Sequence, residues 1–120
     1  MFLMLDTIAH YLALGIAVFL LVLGIVFVMA PEKGLAMTRH RAENLPTIMA
    51  GRYFFMALIA LGVAFRGTGP EVAFVAAGLA GVALFDALTY YRAGTSILPH
   101  IGAGLGALIV MFVAYTGGEL

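Results

Sequence analysis

Charged residues are scarce in this sequence, and cysteine is absent. The lack of cysteine excludes disulfides, thiolate chemistry and cysteine-ligated metals or clusters. Charged residues make up 10% of the chain, against about 25% in a typical soluble domain. The six basic and six acidic residues cancel, so the chain carries no electrostatic signature of a nucleic-acid partner.

Most of the chain is apolar. Hydrophobic residues account for 64% of the 120 positions, and the mean hydropathy is +1.13. A soluble domain contains about 45–50% apolar residues. A chain with this composition buries its apolar surface in a lipid bilayer rather than in a core, and its length indicates a single domain. We therefore predict an integral membrane protein.

Long apolar segments separated by turn residues predict four transmembrane helices. We expect them at residues 7–30, 46–65, 71–91 and 97–115. Each is long enough to cross a hydrocarbon core of about 30 Å at about 1.5 Å per residue. No positive charge precedes the first segment, and its apolar run is longer than a signal-peptide core, which favours a retained helix. The predicted fold is an all-α four-helix membrane bundle.

The orientation follows from the positions of basic residues. The polar loop 31–45 and the third connection lie on one side of the membrane, and their basic residues are Lys33, Arg39, Arg41 and Arg92. Arg66 is the one basic residue of the other side. The positive-inside rule therefore predicts a cytoplasmic loop and both termini on the outer side. The expected location is the plasma (inner) membrane. The loop is interpreted as a solvated connection, with a partner-docking or anionic-lipid patch as the alternative.

Three polar side chains interrupt the last three predicted helices. Counted from the turn at Thr68, Arg52 and Asp86 lie at nearly the same depth, and counted from Gly94, so do Asp86 and His100. An unpaired charge in the hydrocarbon costs on the order of 2–3 kcal/mol, and an ion pair offsets much of that cost. We therefore predict a polar layer near the cytoplasmic face.

The layer has two interpretations, which the sequence leaves open. In the first, an Arg52–Asp86 pair is a structural clasp that holds the helices in register. In the second, the layer is a site in which Asp86 and His100 are the acid–base groups and Arg52 orients an anionic or carbonyl group. Tyr90 and Tyr53 are then the candidate substrate-binding residues.

Small residues at a spacing of four predict close helix packing. Ala77 and Gly81 lie in the third predicted helix, and Gly102 and Gly106 lie in the fourth. These faces favour association with a second copy or with a larger membrane complex. The other expected partner is the lipid bilayer.

No cofactor or metal site is predicted. His10 and His100 are placed near opposite membrane faces, so one haem cannot bind both. His40 lies on the same side as His100, but one loop histidine and one helix histidine are a weak metal signal.

The pattern Asp86-x5-Arg92-x-Gly94, followed by His100 and preceded by Arg52, resembles short bacterial four-helix membrane proteins that are grouped as domains of unknown function. The resemblance covers about residues 44–118 and implies the architecture without an established activity. Four spans in a short chain also resemble the small multidrug-resistance transporters. Those proteins carry a buried glutamate in the first helix for proton coupling. The first predicted helix of this sequence has no glutamate, so we reject that family.

The sequence leaves three functions open. The favoured one is a structural or accessory helical bundle. The second is a small membrane enzyme, of isomerase or cyclase type, that acts on a lipophilic substrate through acid–base groups. The third is a subunit of an oligomeric transporter or channel, since ionisable residues inside a membrane often line a pathway.

Overall fold

The computed structural model describes residues 2–38, 40 and 42–117, and this part of the chain is helical with no strand. Its elements are α1 (Phe2–Met29), α2 (Pro31–Thr38), a 3₁₀ turn (Ala42–Asn44), α3 (Leu45–Arg66), α4 (Gly69–Arg92) and α5 (Leu98–Gly117). The predicted all-α class is confirmed. The chain termini, which are predicted to lie on the outer side, are outside the described residues.

Four of these helices contain segments that are long and apolar enough to cross a membrane. The segments are His10–Met29, Ile48–Arg66, Gly69–Arg92 and Leu98–Gly117. Their largest side chains point outward: Phe54, Phe65 and Phe74 are 75%, 84% and 82% exposed. This arrangement is the reverse of a water-soluble fold, in which such side chains fill the interior.

The polar loop 31–45 is largely helical rather than irregular. Pro31 begins α2, where its fixed φ suits the first helical position. Glu32 lies in the first turn, next to the positive end of the helix dipole. The basic residues Arg39 and Arg41, on which the predicted orientation partly rests, lie outside the described residues.

The chain divides between Met49 and Ala50 into two compact units. In the first unit, α2 packs on the end of α1. Gly34 is buried there, and a Cβ at this position would lie 2.9 Å from the ring of Phe27. A glycine is therefore required for the close approach of the two helices. The prediction of a single domain stays a prediction.

In the second unit, α4 and α5 form a closely packed antiparallel pair. The buried side chains of α4 are all alanines, namely Ala73, Ala76, Ala80 and Ala87. Gly104 is the buried residue of α5, and a Cβ there would lie 2.7 Å from Cδ2 of Leu84. Small residues let the two backbones approach, which is the usual way that helices pack in a membrane.

Helix α3 lies farther from this pair. The Cα atoms of α4 and α5 come within 8 Å of each other, whereas no described Cα of α3 comes that close to either helix. Side chains, rather than backbone contact, therefore connect α3 to the pair.

Two short turns set the order of α3, α4 and α5. Thr68 caps α4 through a capping box with Glu71, in which the backbone N–H of Thr68 donates to Glu71 Oε2 over 2.8 Å. At the other end of α4, Gly94 has φ +75°. The N–H groups of Gly94 and Thr95 donate to the carbonyls of Tyr91 and Tyr90, which is the Schellman arrangement that ends a helix.

Candidate functional site

Arg52 of α3 and Asp86 of α4 form an ion pair. The guanidinium Nη2 donates to Oδ2 of the carboxylate over 3.4 Å, and the two side chains are 35% and 20% exposed. The distance exceeds the about 2.7–2.9 Å of an optimal charge-assisted hydrogen bond. The guanidinium carbon of Arg52 also lies 6.0 Å from the ring centroid of Tyr53, at the outer limit of a cation–π contact.

His100 stands in the first turn of α5 and stacks on Tyr90 of α4. Their ring centroids are 4.8 Å apart and their planes are inclined by 21°. The stack spans the turn between the two helices and covers one face of the imidazole. The ring nitrogens, which lie at its edge, stay available for hydrogen bonding.

A cavity of about 350 Å³ lies between α3, α4 and α5, and it is partly open. Its polar lining residues are Tyr53, Asp86 and His100, one from each helix. The remaining lining residues are apolar, and most are small: Met56, Ala57, Ala60, Leu79, Val82, Ala83, Ala103 and Ala107. The volume is at the lower end of the range for small-molecule sites, which are concave and mostly apolar with a few polar groups.

The three polar residues of the cavity have hydrogen-bonding capacity that the described chain does not use. Oδ2 of Asp86 accepts from Arg52, but Oδ1 accepts no hydrogen bond from a described residue. The ring nitrogens of His100 and the hydroxyl of Tyr53 are likewise without a hydrogen-bond partner among the described residues. The hydroxyl of Tyr53, the imidazole of His100 and Oδ1 of Asp86 are therefore available for hydrogen bonding in one small space.

The structure brings together most of the predicted site residues. Arg52 and Asp86 are in contact, and Asp86 and His100 line the same cavity. Tyr53 lines it as well, whereas Tyr90 lies behind His100 and is not part of the lining. The roles assigned to these residues stay predictions.

The predicted packing residues are not those that join α4 to α5. Ala77, Gly81, Gly102 and Gly106 are exposed in this chain, and a Cβ at any of the three glycines would meet nothing within 4 Å. The contact uses the neighbouring helix faces, with Gly104 at its centre. A packing role for the four predicted residues against another chain stays a prediction.

The cavity-lining alanines were not predicted, although the sequence contains a signal for them. Positions three, four and seven residues from a polar residue lie on the same face of a helix. Counting from Tyr53, Asp86 and His100 in this way identifies the five alanines of the lining, which are Ala57, Ala60, Ala83, Ala103 and Ala107.

Within the described residues, no group of three histidine, aspartate or glutamate side chains is placed to hold a metal ion. His40 belongs to the first unit, where its ring lies 6.5 Å from that of Phe27. The chemistry of the site is therefore that of a carboxylate, an imidazole and a phenol in apolar surroundings.

Comparisons with protein-family models, with curated proteins and with solved structures find no match to this chain.

Proposed function

We propose that this chain is an integral membrane protein with four transmembrane helices, and that it acts as a structural or accessory helical bundle. The observation that carries the proposal is the Arg52–Asp86 ion pair, which joins α3 to α4 where their backbones do not pack. An unpaired charge costs on the order of 2–3 kcal/mol at mid-membrane and less at the proposed depth of this pair, near the cytoplasmic face. Pairing the two charges offsets this cost and favours a single arrangement of the helices.

The proposed topology follows the positive-inside rule, with the loop 31–45 in the cytoplasm and both termini outside. Lys33 and Arg92 support this orientation, because both belong to connections on the proposed inner side. The exposed small residues Ala77, Gly81, Gly102 and Gly106 support association with a second copy or a larger membrane complex. The plasma membrane is the proposed location.

A charge-reversal cycle tests the structural role. We expect Arg52→Asp and Asp86→Arg each to destabilise the protein in detergent micelles by about 2–3 kcal/mol, since each leaves two like charges close together. We expect the double variant to regain most of the loss. Unfolding followed by circular dichroism measures all four proteins. If the double variant is as unstable as the worse single variant, the pair is not a clasp.

A second candidate function is a membrane enzyme for a lipophilic substrate, with acid–base chemistry of isomerase or cyclase type. The specific observation in its favour is that Asp86 and His100 line one cavity. A base and an acid within reach of one substrate could move a proton between two of its atoms. Arg52 would hold the carboxylate in place. If the charge-reversed double variant folds but loses a measurable cellular activity, this second function is favoured.

A further inference from the structure

We propose that the cavity between α3, α4 and α5 is a binding site for an uncharged lipophile with a hydroxyl head group. The inference goes beyond the proposed structural role and rests only on the proposed insertion in a membrane. The charge-reversal cycle reports on the clasp whether or not a ligand binds, so the two proposals fail separately.

The lining of the cavity is polar at one end and apolar at the other, which suits an amphiphile lying along the helices. On each helix the lining runs seven residues from a polar position to an apolar one: from Tyr53 to Ala60, from Asp86 back to Leu79, and from His100 to Ala107. Seven residues of helix correspond to a rise of about 10 Å. Because α4 is antiparallel to α3 and α5, the three polar residues share one end.

The apolar end requires a lipophilic occupant. The whole cavity, of about 350 Å³, is far larger than the gaps of a packed interior, and its apolar end offers ordered water no hydrogen-bond partner. In a bilayer such a space takes up an alkyl or isoprenoid chain. The alanine side chains of the lining leave the cavity wide enough for such a chain, since larger side chains would fill the cavity.

The polar end selects the head group. The carboxylate of Asp86 already pairs with Arg52, so the pair as a whole is neutral and favours an uncharged ligand. Oδ1 of Asp86 needs a donor, and a hydroxyl can donate to it. The same hydroxyl oxygen can accept from His100 or from Tyr53. A hydroxyl can therefore donate to Asp86 and accept from His100 or Tyr53 at the same time, whereas an ether or an ester cannot donate.

The test uses the full chain in phosphatidylcholine vesicles and three photoreactive probes that carry the same diazirine chain: a long-chain alcohol, its methyl ether, and a phosphatidylcholine. After irradiation, mass spectrometry locates the adducts. We expect the alcohol to label cavity residues about tenfold more than either other probe, a factor equivalent to about 1.4 kcal/mol.

Two blocking variants and one control locate the site. Ala57→Phe and Ala103→Phe each place a ring in the cavity from a different helix, and we expect each to abolish the excess labelling by the alcohol. Ala17→Phe is the matched control, because Ala17 is also an exposed alanine of an apolar helix but lies outside the lining. Circular dichroism confirms that each variant is folded before it is compared.

Three results would overturn the proposal. Equal labelling by all three probes means that the cavity holds bulk lipid only. Excess labelling that survives both blocking variants places the alcohol elsewhere. Absence of cavity adducts with the alcohol means that no such ligand binds there. The comparison of probes uses the unmodified protein, so it stands even if both blocking variants fail to fold.

Discussion

The imidazole of His100 lies nearly parallel to the phenol ring of Tyr90, with their centroids 4.8 Å apart and their planes inclined by 21°. Tyr90 is near the end of α4 and His100 is in the first turn of α5, so the stack bridges the turn between the helices. His100 also lines the cavity, whereas Tyr90 does not. We therefore predict that Tyr90 is a positioning residue, which acts on the site through His100.

We expect Tyr90→Leu to release the imidazole and Tyr90→Phe to keep it stacked. Loss of the ring should destabilise the protein by about 0.5–1.5 kcal/mol beyond the change in buried area. The direct readout is the NMR signal of the His100 ring protons, which lie in the ring current of Tyr90 and should move downfield in Tyr90→Leu alone. An unchanged His100 signal in that variant would show that the rings do not stack in the membrane.

Gly104 is packed so closely against α4 that it leaves little room for a larger side chain. A Cβ at this position would lie 2.7 Å from Cδ2 and 3.0 Å from Cγ of Leu84. We expect Gly104→Ala to destabilise the α4–α5 pair by about 1 kcal/mol through overpacking, the lower end of the usual cost, because Leu84 is partly exposed and its side chain can shift. Combination with Leu84→Ala should recover part of the loss, because it removes the atoms in the way. Denaturant unfolding in micelles measures Gly104→Ala, Leu84→Ala and the double variant.

Gly102 and Gly106 are the matched controls for Gly104, since a Cβ at either would meet nothing within 4 Å. Alanine there should be neutral or slightly stabilising in a micelle, because alanine is the better helix former by up to about 1 kcal/mol. If instead Gly102→Ala or Gly106→Ala weakens the protein as much as Gly104→Ala, the two glycines pack against another helix, and the oligomeric state should change with them.

These glycines illustrate what the sequence could and could not predict. Composition and the positions of turn residues predict the number and approximate length of the four long apolar helices. Depth can be counted from a turn, since each helical residue adds a constant rise, and this count brings Arg52 and Asp86 to the same level. Rotation about the helix axis is not determined by counting. Choosing Gly104 over Gly102 or Gly106 requires knowing which face of α5 meets α4.

The same difficulty separates Tyr53 from Tyr90. Both were candidates for substrate binding. The rotation of each helix about its own axis determines that Tyr53 lines the cavity and that Tyr90 stacks on His100 outside the lining.

The short helix α2 was missed for another reason. Its sequence is polar and brief, so propensity alone hardly favours a helix there. The close contact between Gly34 and Phe27 supplies the tertiary packing that the sequence does not reveal.

The start of α4 was predicted by position, and its capping box is a further sequence signature that identifies it. Thr68 accepts from the backbone N–H of Glu71 over 3.4 Å, and Glu71 Oε2 accepts from the N–H of Thr68 over 2.8 Å. We expect Thr68→Ala to cost about 0.5–2 kcal/mol of stability. Thr68→Ser keeps the hydroxyl and should be nearly neutral.

Hydrogen exchange of the first turn of α4 measures this effect locally. Faster exchange there in Thr68→Ala than in Thr68→Ser is the expected result. Glu71→Gln is a useful companion, because glutamine can still accept the bond from Thr68 and fits the same box. Equal exchange in all three variants and the unmodified protein would mean that the box does not hold the helix end.

At the end of α4, Gly94 has φ +75° in the Schellman arrangement. A Cβ at this position would meet nothing within 4 Å, so any penalty for a larger residue comes from the backbone and not from crowding. We expect Gly94→Ala to cost about 1–2 kcal/mol, as a side chain does in the left-handed region. Gly94→Asn should cost less, since asparagine tolerates this conformation better than other residues. Thermal unfolding in micelles ranks the three proteins, and we expect the stability to decrease from glycine to asparagine to alanine.

If alanine is tolerated as well as glycine, the turn between α4 and α5 has a different backbone in the membrane. The stacking of Tyr90 on His100 would then have to be reconsidered, because that turn holds the two rings together.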